Sequence, residues 1–146
     1  MSYHRWTVNG YGIRTNDIET TKEKVENLLK LAPKFNEDIQ NYFKATEIDE
    51  PNLDDYLEYD KDYYSGVAYL LQNVIEEVKN IRLDIADDFD CYYYLLLCPS
   101  YNWVERTEEE KNLDAIEKVD ELFKKYIAIL TEKEIDVNYR SVENGN

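Results

Sequence analysis

Positive charge is what this 146-residue chain most lacks: 17 Lys and Arg stand against 32 Asp and Glu, a formal net charge of −15 with the one histidine neutral. Nucleic acids and anionic membranes are held by clustered cations that release counterions, so direct binding to DNA, RNA or a membrane surface is not expected. Histidine occurs only at His4, a poor basis for Ser-His-Asp or Cys-His catalysis. One His and two separated Cys cannot supply the three or four nitrogen and sulfur ligands of a zinc site. The four glycines make neither GxGxxG nor GxxxxGK, so a phosphate-cradling loop is missing and nucleotide-driven chemistry is not expected. No cofactor or metal is therefore assigned. Long apolar runs are missing too: none approaches the roughly 18 residues that span a bilayer. Residues 1–14 lack the basic-then-apolar order of an export signal. A soluble protein of the cytoplasm is the expectation.

What is present is enough to build a core. The chain is 43% apolar and carries 14 Tyr, 4 Phe and 2 Trp, so a single domain over residues 1–146 is expected rather than charge-driven disorder. Cys91 and Cys98 flank the run Tyr92-Tyr93-Tyr94-Leu95-Leu96-Leu97. Seven strand steps separate them by roughly 23 Å and turn them to opposite faces. Two free, mostly buried thiols follow.

Periodicity predicts an α+β fold in the order β-α-α-α-β-β-α-β, a small mixed or antiparallel sheet of about four strands packed with about four helices. Residues 3–14 are rich in β-formers and broken by Gly10-Tyr11-Gly12, which suggests a strand with a bulge or bend. Thr20 and Glu23 have capping-box spacing ahead of Val25, Leu28, Leu29 and Ala32, and Pro33 stops or redirects the chain. Phe35, Ile39, Tyr42 and Phe43 mark the inner side of a second helix. Ser65 or Asp62 can cap a third, with Val67, Leu70, Leu71, Val74 and Val78 on its apolar face and its end near Asn80. Ile81, Leu83 and Ile85 alternate as an edge strand, pairing as a hairpin with the 91–98 run, which is apolar on both sides and so central. Thr107 to Glu110 is a capping box opening a helix whose stripe runs through Leu113, Ile116, Val119, Phe123, Ile127 and Leu130. Ile135, Val137 and Tyr139 alternate in a last strand, before a polar tail from Glu143.

Carboxylates dominate the candidate chemistry. Asp84, Asp87, Asp88 and Asp90 crowd the hairpin turn but lack the spacing of a calcium loop, and they suit a turn whose side chains cap backbone N–H groups. The stronger signal is Glu47 to Asp62, where eight acids meet one base, Lys61. On a helix, acids four apart such as Asp54 and Glu58 stand roughly 6 Å apart, the scale of neighbouring phosphates in a nucleic-acid strand. Tyr56, Tyr59, Tyr63 and Tyr64 add rings able to stack on arginine or fill pockets. The residues predicted to contact a partner are Asp54, Asp55, Tyr56, Glu58, Tyr59, Asp60 and Asp62, joined by Trp103 in the loop after Pro99.

The Trp6-to-Ile13 opening, the Cys98-Pro99-Ser100-Tyr101-Asn102-Trp103 loop, the acidic Tyr-rich middle and the small α+β domain together resemble the small acidic accessory proteins of bacteriophages and mobile elements, among them anti-CRISPR proteins. The resemblance is one of type and carries no residue-level motif. It implies a non-catalytic binding protein, acting in the cytoplasm of a bacterial host cell as monomer or homodimer. Its partner would be a basic protein such as a nuclease, held at its nucleic-acid-binding groove. Two alternatives stay open. One is a carboxylate-based hydrolase acting on a nucleotide signal, which would need Arg5, Arg14, Arg82 and Arg140 to converge beside two carboxylates. The other is a self-associating module that buries Trp103 and the Tyr92–Tyr94 face.

Overall fold

The computed structural model describes residues 6–45, 66–88, 92–98, 106–113 and 116–144. Strand β1 (Trp6–Arg14) ends in a 3-10 turn over Thr15–Asp17, and helices α1 (Lys22–Leu29), α2 (Pro33–Ala45) and α3 (Val67–Lys79) follow. The hairpin strands β2 (Asp84–Asp87) and β3 (Tyr93–Leu97) come next. A one-turn helix α4 (Glu108–Lys111), the long helix α5 (Ile116–Leu130) and strand β4 (Asn138–Asn144) complete the order. The fold is α+β, with one antiparallel sheet in the order β2-β3-β1-β4. As expected, β2 lies at an edge and β3 inside.

Several local expectations shift, each for a physical reason. β1 contains no bulge: its pairing runs without a break from Trp6↔Asn144 to Gly12↔Asn138, and from Tyr11↔Leu97 to Arg14↔Tyr94. The glycines serve close approach instead. A Cβ at Gly10 would stand 2.8 Å from the Leu97 carbonyl oxygen, and one at Gly12 would overlap that of Leu95. The cap of α1 is Thr21, which accepts from the Lys24 N–H, while the Thr20 hydroxyl is buried without a partner. Pro33 opens α2, where its missing N–H costs nothing. The next N–H groups, of Lys34 and Phe35, donate to the Glu77 carboxylate at 3.2 and 2.8 Å, so a side chain near the end of α3 caps α2. Gly66 precedes α3 without a side-chain cap, and Asn80, at φ 56°, ends it in the left-handed conformation. Ile81 and Leu83 are buried but precede the paired part of β2, and Ile135 and Val137 likewise precede β4. β4 then continues through the predicted polar tail to Asn144 because β1 offers partners that far.

The helix expected from Thr107 onward is interrupted. Its capping box forms, with Glu110 N–H to Thr107 Oγ1 at 3.1 Å and Thr107 N–H to Glu110 Oε1 at 2.9 Å. Glu110 also accepts from the backbone N–H and guanidinium of Arg82, which pins this turn to the α3–β2 connection. Asn112 shares its N–H between the Glu108 and Glu110 carbonyls, and Leu113 donates to Glu110, so the chain tightens and α4 stops.

The core lies between the helices and one face of the sheet. Ile13 and Leu95 meet Val25 and Leu28 of α1, Ile39 of α2, Leu70, Leu71 and Val74 of α3, and Phe123, Tyr126 and Leu130 of α5, all nearly inaccessible. Phe35 packs partly against them, and the side chains of Tyr42 and Phe43 lie outside the described residues. Fully burying one such aliphatic or aromatic side chain stabilises by about 1.5–3 kcal/mol, so this layer dominates the folding free energy. The other sheet face closes on itself. β2 and β4 are separated by two strands, which in a flat sheet would place them about 14 Å apart. They approach within 8 Å between Cα atoms, so the sheet is tightly coiled. Ala86, Leu96 and Val142 are buried inside the coil, with Val8, Tyr94 and Cys98 packed against them. Gly10 and Gly12 face this concave side, and the lack of a side chain there permits the curvature.

Candidate functional site

The residues assigned from sequence to a partner surface, Asp54, Asp55, Tyr56, Glu58, Tyr59, Asp60, Asp62 and Trp103, all lie outside the described residues, as do Arg5, Cys91 and Asp90. What the fold assembles is a different cluster, at the end of the concave sheet face where β1 stops and β3 starts. Strand alternation turns Arg14, Tyr94 and Arg140 to that face, and pairing sets Arg14 directly opposite Tyr94.

The Arg14 guanidinium lies 4.5 Å from the Tyr92 ring centroid and donates through Nε and Nη2 to Asp17 at 3.0 and 2.8 Å. The 3-10 turn that carries Asp17 is docked on β3 by Thr15 Oγ1 donating to the Tyr93 carbonyl and by Tyr93 N–H donating to Asn16 Oδ1 at 2.7 Å. Arg140 starts on β4 opposite Gly10, crosses β1 where no side chain blocks it, and reaches 5.6 Å from the Tyr94 ring centroid on β3. On the way its Nε donates to the Gly12 carbonyl at 3.1 Å and its Nη2 to that of Asp136 at 3.2 Å. Asp88 closes the hairpin: it exchanges backbone and side-chain bonds with Tyr92 and accepts from the Tyr94 hydroxyl at 3.4 Å.

The electrostatics follow from these contacts. The hydrogen bond from Arg14 holds the Asp17 carboxyl below the usual carboxylate range, with Lys133 and Arg140 adding to the effect. Burial raises the Tyr94 phenol, Asp88 adds to this, and the two arginines oppose it. At the other end of the concave face, burial pushes the Cys98 thiol up to about 12, helped by Asp84, so this free cysteine is not a thiolate near neutrality.

No protein-family model matches the chain, and no curated protein or solved structure matches it significantly.

The described carboxylates of the hairpin do not form a shared site. Asp84 and Asp88 fall on the concave face and Asp87 on the other, because successive strand residues alternate. Among the described residues no three metal-capable side chains come together. Of the four arginines whose convergence the hydrolase alternative requires, Arg14 and Arg140 lie on the same sheet face and both act on Tyr94, whereas Arg82 is engaged by Glu110. The sequence places Arg14 and Arg140 in or beside strands and leaves their convergence open as a condition. The signal that would have found it is strand register, since Arg14 and Tyr94 share a rung only when β1 pairs with β3.

Proposed function

We propose that the protein is an acidic binding protein that inhibits a basic, nucleic-acid-handling enzyme, such as an RNA-guided nuclease, by occupying its positively charged surface. One observation carries this reading: the charge is concentrated. Eight acids and one lysine between Glu47 and Asp62 contribute −7 of the total −15, and four tyrosines lie in or next to the same stretch. The described residues support the contrast, because their acids are interspersed with cations and several are paired, as in Arg14–Asp17, Lys111–Glu108 and Lys124–Asp120. Binding rather than catalysis is favoured by the Arg–Tyr cluster too, where Asp17 and Asp88 are committed as acceptors to fixed partners.

The test is capture of partners from a bacterial lysate, followed by plasmid cleavage with the nuclease recovered. Replacing Asp54, Asp55, Glu58, Asp60 and Asp62 together by their amides is expected to weaken inhibition by at least about 100-fold, since each close charge pair at an interface contributes on the order of 1 kcal/mol or more. The same number of amides among residues 108–121 is expected to change it by only a few-fold. Equal losses from the two sets would remove the specific site.

A further inference from the structure

The Arg–Tyr end of the coiled sheet is not used by the acidic-segment proposal and stands independently of it. In a molecule of charge −15, Arg14, Arg140 and Lys133 all act on the Asp17 carboxyl, and Asp88, bonded to Tyr92 and Tyr94, is the other carboxylate of the cluster. Arg14 is answered by the Asp17 carboxylate, but Arg140 is not. Its hydrogen bonds go to the uncharged carbonyls of Gly12 and Asp136, and among the described residues no carboxylate lies within 4.0 Å of it. Those bonds and the Tyr94 ring hold the guanidinium in a set orientation, with Nη1 left to donate. The cluster is open to solvent: the Arg14 side chain is 34% exposed and Tyr92 is 38% exposed.

We propose that this end of the coiled sheet binds the phosphate group of a small ligand, with Arg140 as principal donor, Arg14 as second donor and the Tyr92 and Tyr94 rings as flanking walls. Two guanidinium groups approaching from different strands suit a tetrahedral dianion, whereas a carboxylate is satisfied by one planar fork. The acidic exterior decides the size of the ligand. A polyanion meets repulsion along its whole length, while a single phosphate at physiological salt feels charges only within a Debye length of about 8 Å. A small phosphomonoester fits and a nucleic acid does not.

The experiment is a two-dimensional amide NMR titration of the full chain with inorganic phosphate at constant ionic strength. Saturable shifts are expected at residues 12–17, 92–94 and 138–142, with a Kd in roughly the millimolar range for the free ion. Arg140→Gln is expected to weaken binding at least about tenfold, and Arg140→Lys several-fold, because an ammonium lacks the fork. Asp17→Asn removes the resident competitor for Arg14 and is expected to tighten binding a few-fold. Acetate in place of phosphate is expected to bind several-fold more weakly. If Arg140→Gln does not fold, Arg140→Lys and Asp17→Asn still decide the question. The proposal is overturned by non-saturating shifts, by acetate binding as well as phosphate, or by full affinity in Arg140→Lys.

Discussion

The Glu110 side chain is only 10% exposed, yet it is charged. Burial alone would raise its pKa. The Arg82 guanidinium and the N–H groups of Thr107 and Arg82 outweigh that penalty and hold the carboxyl at about 2, against an ordinary 4.5. A folded-state pKa below the unfolded one means stability that is fully present above about pH 4.5 and drains away as pH falls toward 2. With Arg82 half exposed and partly screened, the contribution is on the order of 2 kcal/mol. Glu110→Gln should therefore lose about that much in urea unfolding at pH 7, with the gap to the parent closing near pH 2. At Gly12 the limit is steric. A methyl group there would overlap the Leu95 carbonyl oxygen and lie 2.9 Å from the Leu96 Cα, and neither backbone atom can move without breaking the β1–β3 ladder. Gly12→Ala should cost more than about 3 kcal/mol, and Gly10→Ala less, as its contacts are 2.8 Å or longer and include the Leu96 and Cys98 side chains; thermal unfolding measures both.

Among the elements, α2 depends on a cap that it does not supply. Its opening residue is Pro33, and the N–H groups of Lys34 and Phe35 are satisfied by Glu77 of α3, 43 and 42 positions away. Glu77→Ala should cost about 1 kcal/mol, and hydrogen exchange should report faster opening at the first turn of α2 with little change in β1. α4 is likewise made by its neighbour: Thr107 Oγ1 donates to the Asn80 carbonyl at 2.8 Å while accepting from Glu110 N–H at 3.1 Å. The capping boxes and stripes of such elements could be read from the chain, because helix signals are local. The one-residue shift from Thr20 to Thr21 and the break after Lys111 could not. Each is settled by an atom from elsewhere in the fold competing for the same N–H or carboxylate, or by a hydroxyl caught in the core. The wider buried face of α5, where Leu122 and Tyr126 join Phe123 and Leu130, was missed for the same reason: the sheet and α1 together cover more than one narrow stripe.

For the molecule as a whole, charge separates two kinds of surface. Cations and anions alternate over α5 and its surroundings, while the stretch between α2 and α3 holds almost half the net charge. If that stretch meets a basic partner as proposed, steering governs the encounter. The association rate should fall at least about tenfold between 50 and 500 mM salt, with a smaller change in dissociation, as stopped-flow mixing with the recovered nuclease would show. A rate indifferent to salt would remove electrostatics from the mechanism.

The chain by itself determined the α+β class, the inner place of β3, the helix starts near Thr20 and at Thr107, and the concentration of acids between Glu47 and Asp62, all of which depend on near neighbours and on composition. Only the tertiary structure decided the coiling of the sheet, the steric role of Gly10 and Gly12, and the clustering of Arg14, Tyr92, Tyr94 and Arg140. Those features depend on strand register between residues as far apart as Gly12 and Arg140, and register is chosen by the packing of the whole core rather than by any short stretch of sequence.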